Sequence, residues 1–402
     1  MAGAKPMAES LARLKGRLAK EVDRRAEELL GLSHRIHARP EVAFQEEQAS
    51  AWVAEQLAVY GFGVDRGVYG LPTAVQATWG QGRPAIAVLA EYDALPGIGH
   101  GCGHNVIAAS AVGAAVAARL AVERLGGTLV VLGTPAEEAG GGKAMLAAAG
   151  AFTDLDAALM IHPGVRDTVL TWSLACTSLT IEFFGQAAHA AARPEDGVNA
   201  LEALILAYNG VNSLRQHIPG RSRIHGIITS GGDAPNIVPA YAAAEFLVRA
   251  ETDEALEEHQ QRVLRCCQGA ALATGARLEH RWSEYPYRAL RTNRAIAEAF
   301  GRNLGRLGRR SHPPNPSRGR GSTDMGNVSV LVPAIHPSIA IAPLRISAHS
   351  PEFAQAAIEE GGDRGVLDGA KALAMTVADL LDGGALLEAA RREFLGGSQD
   401  ES

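Results

Sequence analysis

Three short apolar runs, separated by helical segments, restrict the folds that this chain can adopt. The runs are 85–90, 128–132 and 157–161, and apart from Thr128 they contain no polar residue. Short runs of this kind are typical of strands that are buried on both faces. Buried strands that alternate with helices form a largely parallel sheet. We therefore predict an α/β fold with a mostly parallel sheet.

Polar and potentially reactive side chains follow each of the three runs. Glu91 follows the first run, Glu137 and Glu138 follow the second, and His162 follows the third. In open α/β sheets, ligands bind at the carboxyl ends of the strands. We therefore expect these groups to converge on one site, although they are far apart in the sequence.

The pattern changes near residue 173, where half-exposed strands replace the buried runs. The alternating segments are 179–184, 224–229 and 243–249, and helical stretches cover 199–217 and 253–274. This order predicts a small α+β domain that resembles the ferredoxin-like arrangement. The α/β pattern returns after residue 290. We therefore predict that residues 173–290 form an inserted domain, and that residues 1–172 and 291–402 together form the α/β domain. Residues 302–320 are rich in Arg, Pro, Gly and Ser and predict an exposed loop.

Composition excludes several classes of partner. The net charge is −6 and only 5% of residues are aromatic, which argues against nucleic acid and against an anionic membrane surface. The apolar stretch 106–122 contains Ser110 and Arg119 and predicts a buried helix rather than a membrane span. Four cysteines in 402 residues do not form a disulfide framework. Because no apolar leader is evident at the N-terminus, we expect a cytoplasmic protein.

Cys102-Gly-His104 lies in a glycine-rich loop that follows the first buried run. On an extended backbone, residues two apart point to the same side, so the thiol and the imidazole can face one ion. Sulfur and nitrogen ligands suit transition metals. The alternative is a buried thiol beside an exposed histidine, but the nearby Asp93 and His100 favour a metal site.

Glu137 and Glu138 are adjacent carboxylates, and such pairs usually lie on a solvated surface. Here they follow a buried strand directly, which places them at the expected ligand edge. Neighbouring glutamates can divide the chemistry, one as a metal ligand and the other as a proton acceptor. His162 and His349 are further candidate ligands, although a lone histidine is more often structural.

These motifs resemble the M20 metallopeptidases, and within them the amidohydrolase branch. The segments 91–105, 135–138 and 321–327 look closest to aminobenzoyl-glutamate hydrolases and the related β-alanyl dipeptidases, and the resemblance covers residues 30–385. It implies a catalytic metallohydrolase domain with an inserted lid or dimerisation domain. It also implies two divalent ions, zinc, manganese or cobalt, held by Cys102, His104, Glu138, His162 and His349. Cys102 takes the bridging position, and Glu137 is the general base.

The same resemblance assigns roles within the inserted domain. His189 matches the histidine that stabilises the oxyanion, and Asn236 and Arg249 match positions that bind the substrate carboxylate or the oxyanion. The fork-shaped guanidinium of Arg249 suits a carboxylate, although a surface charge on an alternating strand is the simpler alternative. A homodimer that forms through this domain is also implied.

The chain departs from the family pattern at two points. The exopeptidase members carry His-x-Asp where this chain has Glu91-Tyr-Asp93, so Asp93 is expected to orient a ligand histidine. Asn105 replaces the aspartate of the auxin-conjugate hydrolases, which argues against their substrates.

These observations predict a dinuclear metal hydrolase with a small-molecule amide or dipeptide substrate. The cleaved bond is the amide of an N-acyl amino acid, an aminobenzoyl-glutamate-like conjugate or a small dipeptide. Two alternatives stay open. One is another hydrolase on the same fold, such as a deacetylase or a deaminase of aryl substrates. The other is a catalytically silent scaffold that binds a ligand.

Overall fold

The computed structural model describes residues 10–314 and 321–396, and the chain divides into two compact units. Of these residues, the first unit contains 10–172, 291–314 and 327–396, and the second contains 173–290 and 321–326. The predicted boundaries placed 321–326 in the first domain. By its contacts this short segment belongs to the second unit; they include the hydrogen bonds from Leu174 N–H to the Gly321 carbonyl at 2.9 Å and from Arg249 to the Ser322 hydroxyl at 2.6 Å.

Twelve strands are present among the described residues. They are β1 (Gly63–Arg66), β2 (Val75–Gln81), β3 (Ala85–Glu91), β4 (Gly127–Thr134), β5 (Ala157–Leu159), β6 (His162–Gly164), β7 (Ala175–Phe184), β8 (Arg223–Ser230), β9 (Tyr241–Ala250), β10 (Arg277–Trp282), β11 (Ala334–Ile335) and β12 (Ser338–Ala340). The described part of the chain also holds twelve α-helices. They are α1 (Leu11–Arg24), α2 (Ala26–His37), α3 (Glu47–Val59), α4 (His104–Leu125), α5 (Gly142–Ala148), α6 (Ala200–Arg215), α7 (Asp253–Thr274), α8 (Arg294–Arg306), α9 (Met325–Ser329), α10 (Pro351–Ala356), α11 (Glu360–Leu381) and α12 (Ala385–Gly396).

A six-stranded sheet in the order β1-β2-β4-β3-β5-β11 forms the centre of the first unit. β3 pairs in parallel with β4 and β5, and β5 pairs in parallel with β11, whereas β1 and β2 add an antiparallel edge. Every residue of β3 is buried, as expected for a strand that is covered on both faces. The predicted α/β fold with a mostly parallel sheet is therefore confirmed.

Helix α4 is the apolar segment for which a buried helix was predicted. It is long and apolar enough to cross a membrane, but 89% of its most apolar 18-residue stretch is buried inside the protein. It packs against α11 and against β3. A close approach is possible at Gly113, where an added Cβ would lie 2.7 Å from the side chain of Leu29. The helix therefore forms part of the core of the first unit.

Helix α8 corrects the start of the predicted loop 302–320. The side chain of Asn293 accepts from Ile296 N–H and begins the helix, which continues to Arg306. Ile296, Phe300 and Leu304 are buried along one face, and this apolar face stabilises the helix although Arg302 and Arg306 are exposed. Residues 315–320 of the predicted loop lie outside the described residues.

The second unit is a four-stranded antiparallel sheet with two helices. The strand order is β10-β7-β9-β8, and α6 and α7 pack against the sheet and against each other. Side chains of Asn199 and Thr252 cap the two helices by accepting backbone N–H groups. Numbered within the unit, the strands lie in the order 4-1-3-2, which is the ferredoxin-like arrangement that was predicted.

Candidate active site

The carboxyl ends of the central strands deliver the candidate residues to one edge of the first unit. β3 ends at Glu91, β4 ends shortly before Glu137, and His162 begins β6 just after β5. The loop after β3 enters α4 through Gly103, whose φ is +77°. A Cβ on Gly103 would lie 2.9 Å from the side chain of Pro163. Glycine at this position therefore allows His104 to start the helix close to the His162 segment.

All five predicted metal ligands lie in overlapping groups of donor atoms. The groups are Cys102–His104–His162, Cys102–Glu138–His349 and His104–Glu137–Glu138, each with donor atoms within 4.8 Å of one another. The sulfur of Cys102 lies 3.5 Å from the Nε2 atoms of both His162 and His349. The carboxylate of Glu138 lies 3.8 Å from Nε2 of His104 and 3.7 Å from Nε2 of His349. Cys102 and Glu138 thus each lie between two histidines.

Asp93 orients two of these groups at once. Its Oδ1 accepts from Nδ1 of His104 at 2.9 Å, and its Oδ2 accepts from the N–H of Glu138 at 2.9 Å. The proton on Nδ1 leaves Nε2 of His104 to face the cluster. His162 is oriented in the same way, because its Nδ1 donates to the Pro163 carbonyl at 2.7 Å. His100, by contrast, donates from Nε2 to the Ile36 carbonyl at 3.2 Å.

The donor set fits divalent transition metals. Nε2 of His104 and Oε1 of Glu138 are buried polar atoms without a hydrogen-bond partner, and such atoms are costly unless something satisfies them. Burial lowers the pKa of His104, but the charges of Asp93 and Glu91 outweigh it and raise this pKa well above its usual value. The site therefore attracts positive charge. Its mixture of thiol, imidazole and carboxylate suits zinc, manganese or cobalt.

Burial also acts on the thiol of Cys102, whose pKa it raises. The nearby carboxylates of Glu138 and Glu137 add to this rise. A coordinating divalent ion reverses this preference, because a metal-bound thiol is deprotonated. The protonation state of Cys102 thus depends on whether the site is loaded with metal.

Glu137 lies within the cluster of candidate ligands rather than on a solvated surface. It is only 8% exposed and shares a donor group with His104 and Glu138. The preceding residue, Ala136, has a φ of +58°, which is unusual for a residue other than glycine. The backbone N–H groups of Gly141 and Gly142 both donate to the Ala136 carbonyl. The turn that carries the two glutamates is therefore fixed from several sides.

A buried ion pair that was not predicted from the sequence lies beside the candidate ligands. Nζ of Lys143 contacts Oε1 of Glu91, and both side chains are completely buried. Oε2 of Glu91 lies 3.4 Å from Nε2 of His104. Burial raises the pKa of Glu91, but Lys143 and His104 outweigh it and lower this pKa to about 2. Lys143 lies in α5 and its partner Glu91 lies at the end of β3, so nothing in the segment around Lys143 predicted the pair.

His336 is a second neighbour that the sequence analysis did not find. Its ring lies 5.2 Å from the ring of His162, and burial lowers its pKa to about 3. The signal available in the sequence was the repeated triplet Ile-His-Pro at 161–163 and 335–337. The two triplets are neighbours but are displaced by two residues, because β5 pairs with β11 and β6 pairs with β12 in a parallel register that places Ser338 opposite His162.

The candidates of the second unit form two groups within that unit. His189 lies near Asn236, since Ala190 N–H donates to the Asn236 carbonyl at 3.1 Å. Nδ1 of His189 accepts from the N–H groups of Ala191 and Ala192, so the neutral ring carries its proton on Nε2. Arg249 lies on β9 and donates to the Ser322 hydroxyl at 2.6 Å.

Comparison with known proteins places this geometry in a family. A family model described as a peptidase dimerisation domain of the M20 type matches residues 176–274. The chain is 38% identical to the Xaa-Arg dipeptidase of Mus musculus, and the match covers 98% of this chain and 95% of that protein. It is also 38% identical to one subunit of the p-aminobenzoyl-glutamate hydrolase of Escherichia coli, over 63% of this chain and 57% of that protein.

Solved structures share the fold over nearly the whole chain. An aminobenzoyl-glutamate utilization protein from Klebsiella pneumoniae superposes with a TM-score of 0.71 at 21% identity, covering 92% of this chain and 100% of that one. A dinuclear metal-binding peptidase of the M20 family from Bacillus subtilis superposes with a TM-score of 0.66 at 21% identity, covering 89% and 98%. From the extended sequence identity and the shared fold, we conclude that this chain belongs to the M20 peptidase family.

Proposed function

We propose that the protein is a metal-dependent hydrolase of the amide bond in dipeptides, N-acyl amino acids or aminobenzoyl-glutamate-like conjugates. The observation that carries this proposal is the convergence of Cys102, His104, Glu138, His162 and His349 beside the buried Glu137. Membership of the M20 family and the names of the relatives, which are dipeptide and amide hydrolases, support the same reaction.

We propose that this cluster holds two divalent ions. The sulfur of Cys102 lies 3.5 Å from Nε2 of both His162 and His349, and the Glu138 carboxylate lies within 3.8 Å of His104 and His349, so these five side chains would hold the ions. The Bacillus subtilis neighbour is a dinuclear metal-binding peptidase. Ions held here supply Lewis acidity, which lowers the pKa of water and polarises a carbonyl. Asp93 keeps His104 in the tautomer that leaves Nε2 available.

Glu137 acts as the general base and then as the general acid. Its carboxylate takes a proton from the water that attacks the amide carbonyl, and it returns that proton to the leaving amine. We propose that His189 donates the proton on its Nε2 to the oxyanion. Asn236 and Arg249 bind the carboxylate or the oxyanion of the substrate.

Dipeptides that end in arginine are the first substrates to test, because the mouse relative is an Xaa-Arg dipeptidase and the match covers almost its whole length. The panel also includes p-aminobenzoyl-glutamate and an N-acetyl amino acid, which represent the other amide classes. We further propose a homodimer formed through the second unit. The matched dimerisation model and the exposed Ile227 and Ile228 on the edge strand β8 support it.

The Glu137→Gln variant tests the mechanism. We expect it to bind the same amount of zinc, manganese or cobalt as the parent and to lose turnover by about 10²–10⁴-fold, because the amide cannot accept the proton. Glu123→Gln, at the exposed end of α4, is the control and keeps full activity. Undiminished turnover in the Glu137→Gln variant would refute the proposal. Metal-loaded parent protein without activity on the whole panel would instead favour a silent binding scaffold.

A further inference from the structure

One buried carboxylate outside the ligand set reaches the segment that carries the two glutamates. Glu46 is completely buried, and its Oε1 accepts from the N–H of Phe44 and from the N–H of Ala136, both at 2.9 Å. Its Oε2 accepts from the Thr73 hydroxyl at 2.9 Å. Three donors from three separate parts of the chain thus meet on one side chain.

Both residues held by Oε1 have a left-handed backbone. Phe44 has a φ of +62° and Ala136 has a φ of +58°. Residues other than glycine adopt this region at a cost, and they stay there only when surrounding contacts fix them. For Ala136 these contacts are Glu46 at its N–H and the amides of Gly141 and Gly142 at its carbonyl.

The conformation of Ala136 determines where the next two residues point. Glu137 and Glu138 follow it directly, and the Glu138 N–H is bound by Asp93 at 2.9 Å. The other residue held by Glu46 touches the same turn, because the ring of Phe44 packs so closely on Gly140 that an added Cβ there would clash with it. Glu46 therefore braces the turn directly at Ala136 and indirectly through Phe44.

We propose that Glu46 is a positioning residue, which holds Ala136 in its left-handed conformation and thereby aims Glu137 at the attacking water. The role rests on the proposed function, since it acts through Glu137. Glu46 itself touches no reacting atom in this scheme. Its effect is on the alignment of proton transfer, so loss of the carboxylate lowers kcat and leaves KM close to the parent value.

The test compares variants that remove or keep the acceptor. Glu46→Met has a similar length but accepts no hydrogen bond from the two amides, and we expect kcat at saturating metal to fall about 10- to 100-fold. Glu46→Gln keeps one oxygen that can accept both amides, so it retains most of the turnover. Adding Ala136→Gly to Glu46→Met restores part of the lost kcat, because glycine adopts a positive φ without help.

Glu41→Met is the matched control. The Glu41 carboxylate also accepts backbone N–H groups, those of Gln48 and Ala49, but it supports the start of α3 rather than the catalytic turn. We expect this variant to lower Tm and to leave kcat unchanged. If Glu46→Met behaves in the same way, Glu46 is merely structural and the proposal is overturned. A kcat loss that Ala136→Gly does not reduce overturns it too.

Two further measurements keep the test decisive. If Glu46→Met does not fold, the variant Thr73→Val is used in its place, because it removes one hydrogen bond from the same carboxylate. We then expect a smaller loss of kcat, which Ala136→Gly again reduces. The coupling between positions 46 and 136 is also measured as non-additive Tm changes in metal-free protein. This coupling does not depend on turnover, so it separates a failure of this proposal from a failure of Glu137 as the base.

Discussion

Asp93 and His104 form a completely enclosed hydrogen-bonded pair at 2.9 Å, and the second oxygen of the same carboxylate holds the backbone of Glu138. One side chain thus fixes both the tautomer of His104 and the backbone position of Glu138, two of the candidate ligands. Burial raises the pKa of Asp93, but the interaction with His104 outweighs it, and the pKa lies below its usual value. Asp93 therefore stays ionised although it is shielded from water.

Replacing Asp93 by asparagine weakens metal binding. The amide offers only one acceptor oxygen, so either His104 or the Glu138 N–H loses its partner. Replacement of groups that orient metal ligands typically costs 10- to 100-fold in metal affinity, and we expect a loss of about that size. Competition with a metal chelator measures it. Asp65→Asn, on the exposed edge strand β1, is the control, and equal affinities of the two variants would contradict the role of Asp93.

Cys102→Ser removes the only sulfur donor of the predicted ligand set. In protein loaded with cobalt, we expect the parent to show a thiolate-to-metal charge-transfer absorption and the variant to lack it, because a neutral hydroxyl is a poor substitute for a thiolate. Cys266→Ser, in α7 of the second unit, leaves the absorption unchanged. An identical spectrum for Cys102→Ser and parent would show that sulfur does not bind the metal.

Lys143→Met leaves the buried carboxylate of Glu91 without its ammonium partner. Breaking a buried pair from one side costs about 3–5 kcal/mol, whereas replacing both partners costs much less. We therefore expect Lys143→Met to lower the free energy of unfolding more than Lys143→Met combined with Glu91→Gln, as measured by urea titration of metal-free protein. The exposed pair Arg193–Asp196 is the control, and Arg193→Met should cost at most about 1 kcal/mol.

Asp156 makes the free energy of unfolding decrease as the pH falls into the acid range. Burial raises its pKa, but the Ala85 N–H at 2.7 Å and the guanidinium groups of Arg83 and Arg391 outweigh it and lower the pKa. Because the folded pKa lies below the unfolded value, the carboxylate contributes fully above about pH 4, and this contribution is lost as pH falls through the folded value.

The variant Asp156→Asn tests this sign. We expect it to lower the free energy of unfolding at pH 7 by about 1–3 kcal/mol, and we expect the difference from the parent to shrink as the pH falls below 4. Asp154→Asn, which removes a carboxylate that is 96% exposed beside the same Arg83, should change stability far less. A difference that is constant from pH 7 to pH 3 would contradict the linkage.

The elements that could be predicted from the sequence are those that a local pattern marks, either a continuous apolar run or a helical periodicity. The apolar runs became β3, β4 and β5, and the helical stretch 253–274 coincides with α7. The strands β1 and β2 were not predicted. The edge strand β1 has only four residues, Gly63–Arg66, none of them buried, so no apolar run marks it. In β2, Val75, Ala77 and Trp79 alternate with Gln76 and Thr78, and this signal was not used.

The residues of the candidate site fall into the same two classes, those with a local sequence pattern and those without one. Four of the five candidate ligands could be proposed from the sequence because they stand near the end of a strand or beside glycines, whereas the role of His349 was assigned through the family resemblance. Glu46 and Lys143 were not found, because their roles are defined by partners elsewhere in the chain. Glu46 lies 90 residues from Ala136, and nothing within its own segment distinguishes it from the neighbouring surface glutamate Glu47.

The contact between Cys102 and His349 spans 247 residues, and the whole of the second unit is encoded between them. During synthesis the three segments that carry the other candidate ligands leave the ribosome long before His349 is translated. The nascent chain therefore carries an incomplete candidate set while the second unit is being made. Metal binding as we propose it is complete only after His349 has been made, and it then links the segment around residue 102 to the segment around residue 349.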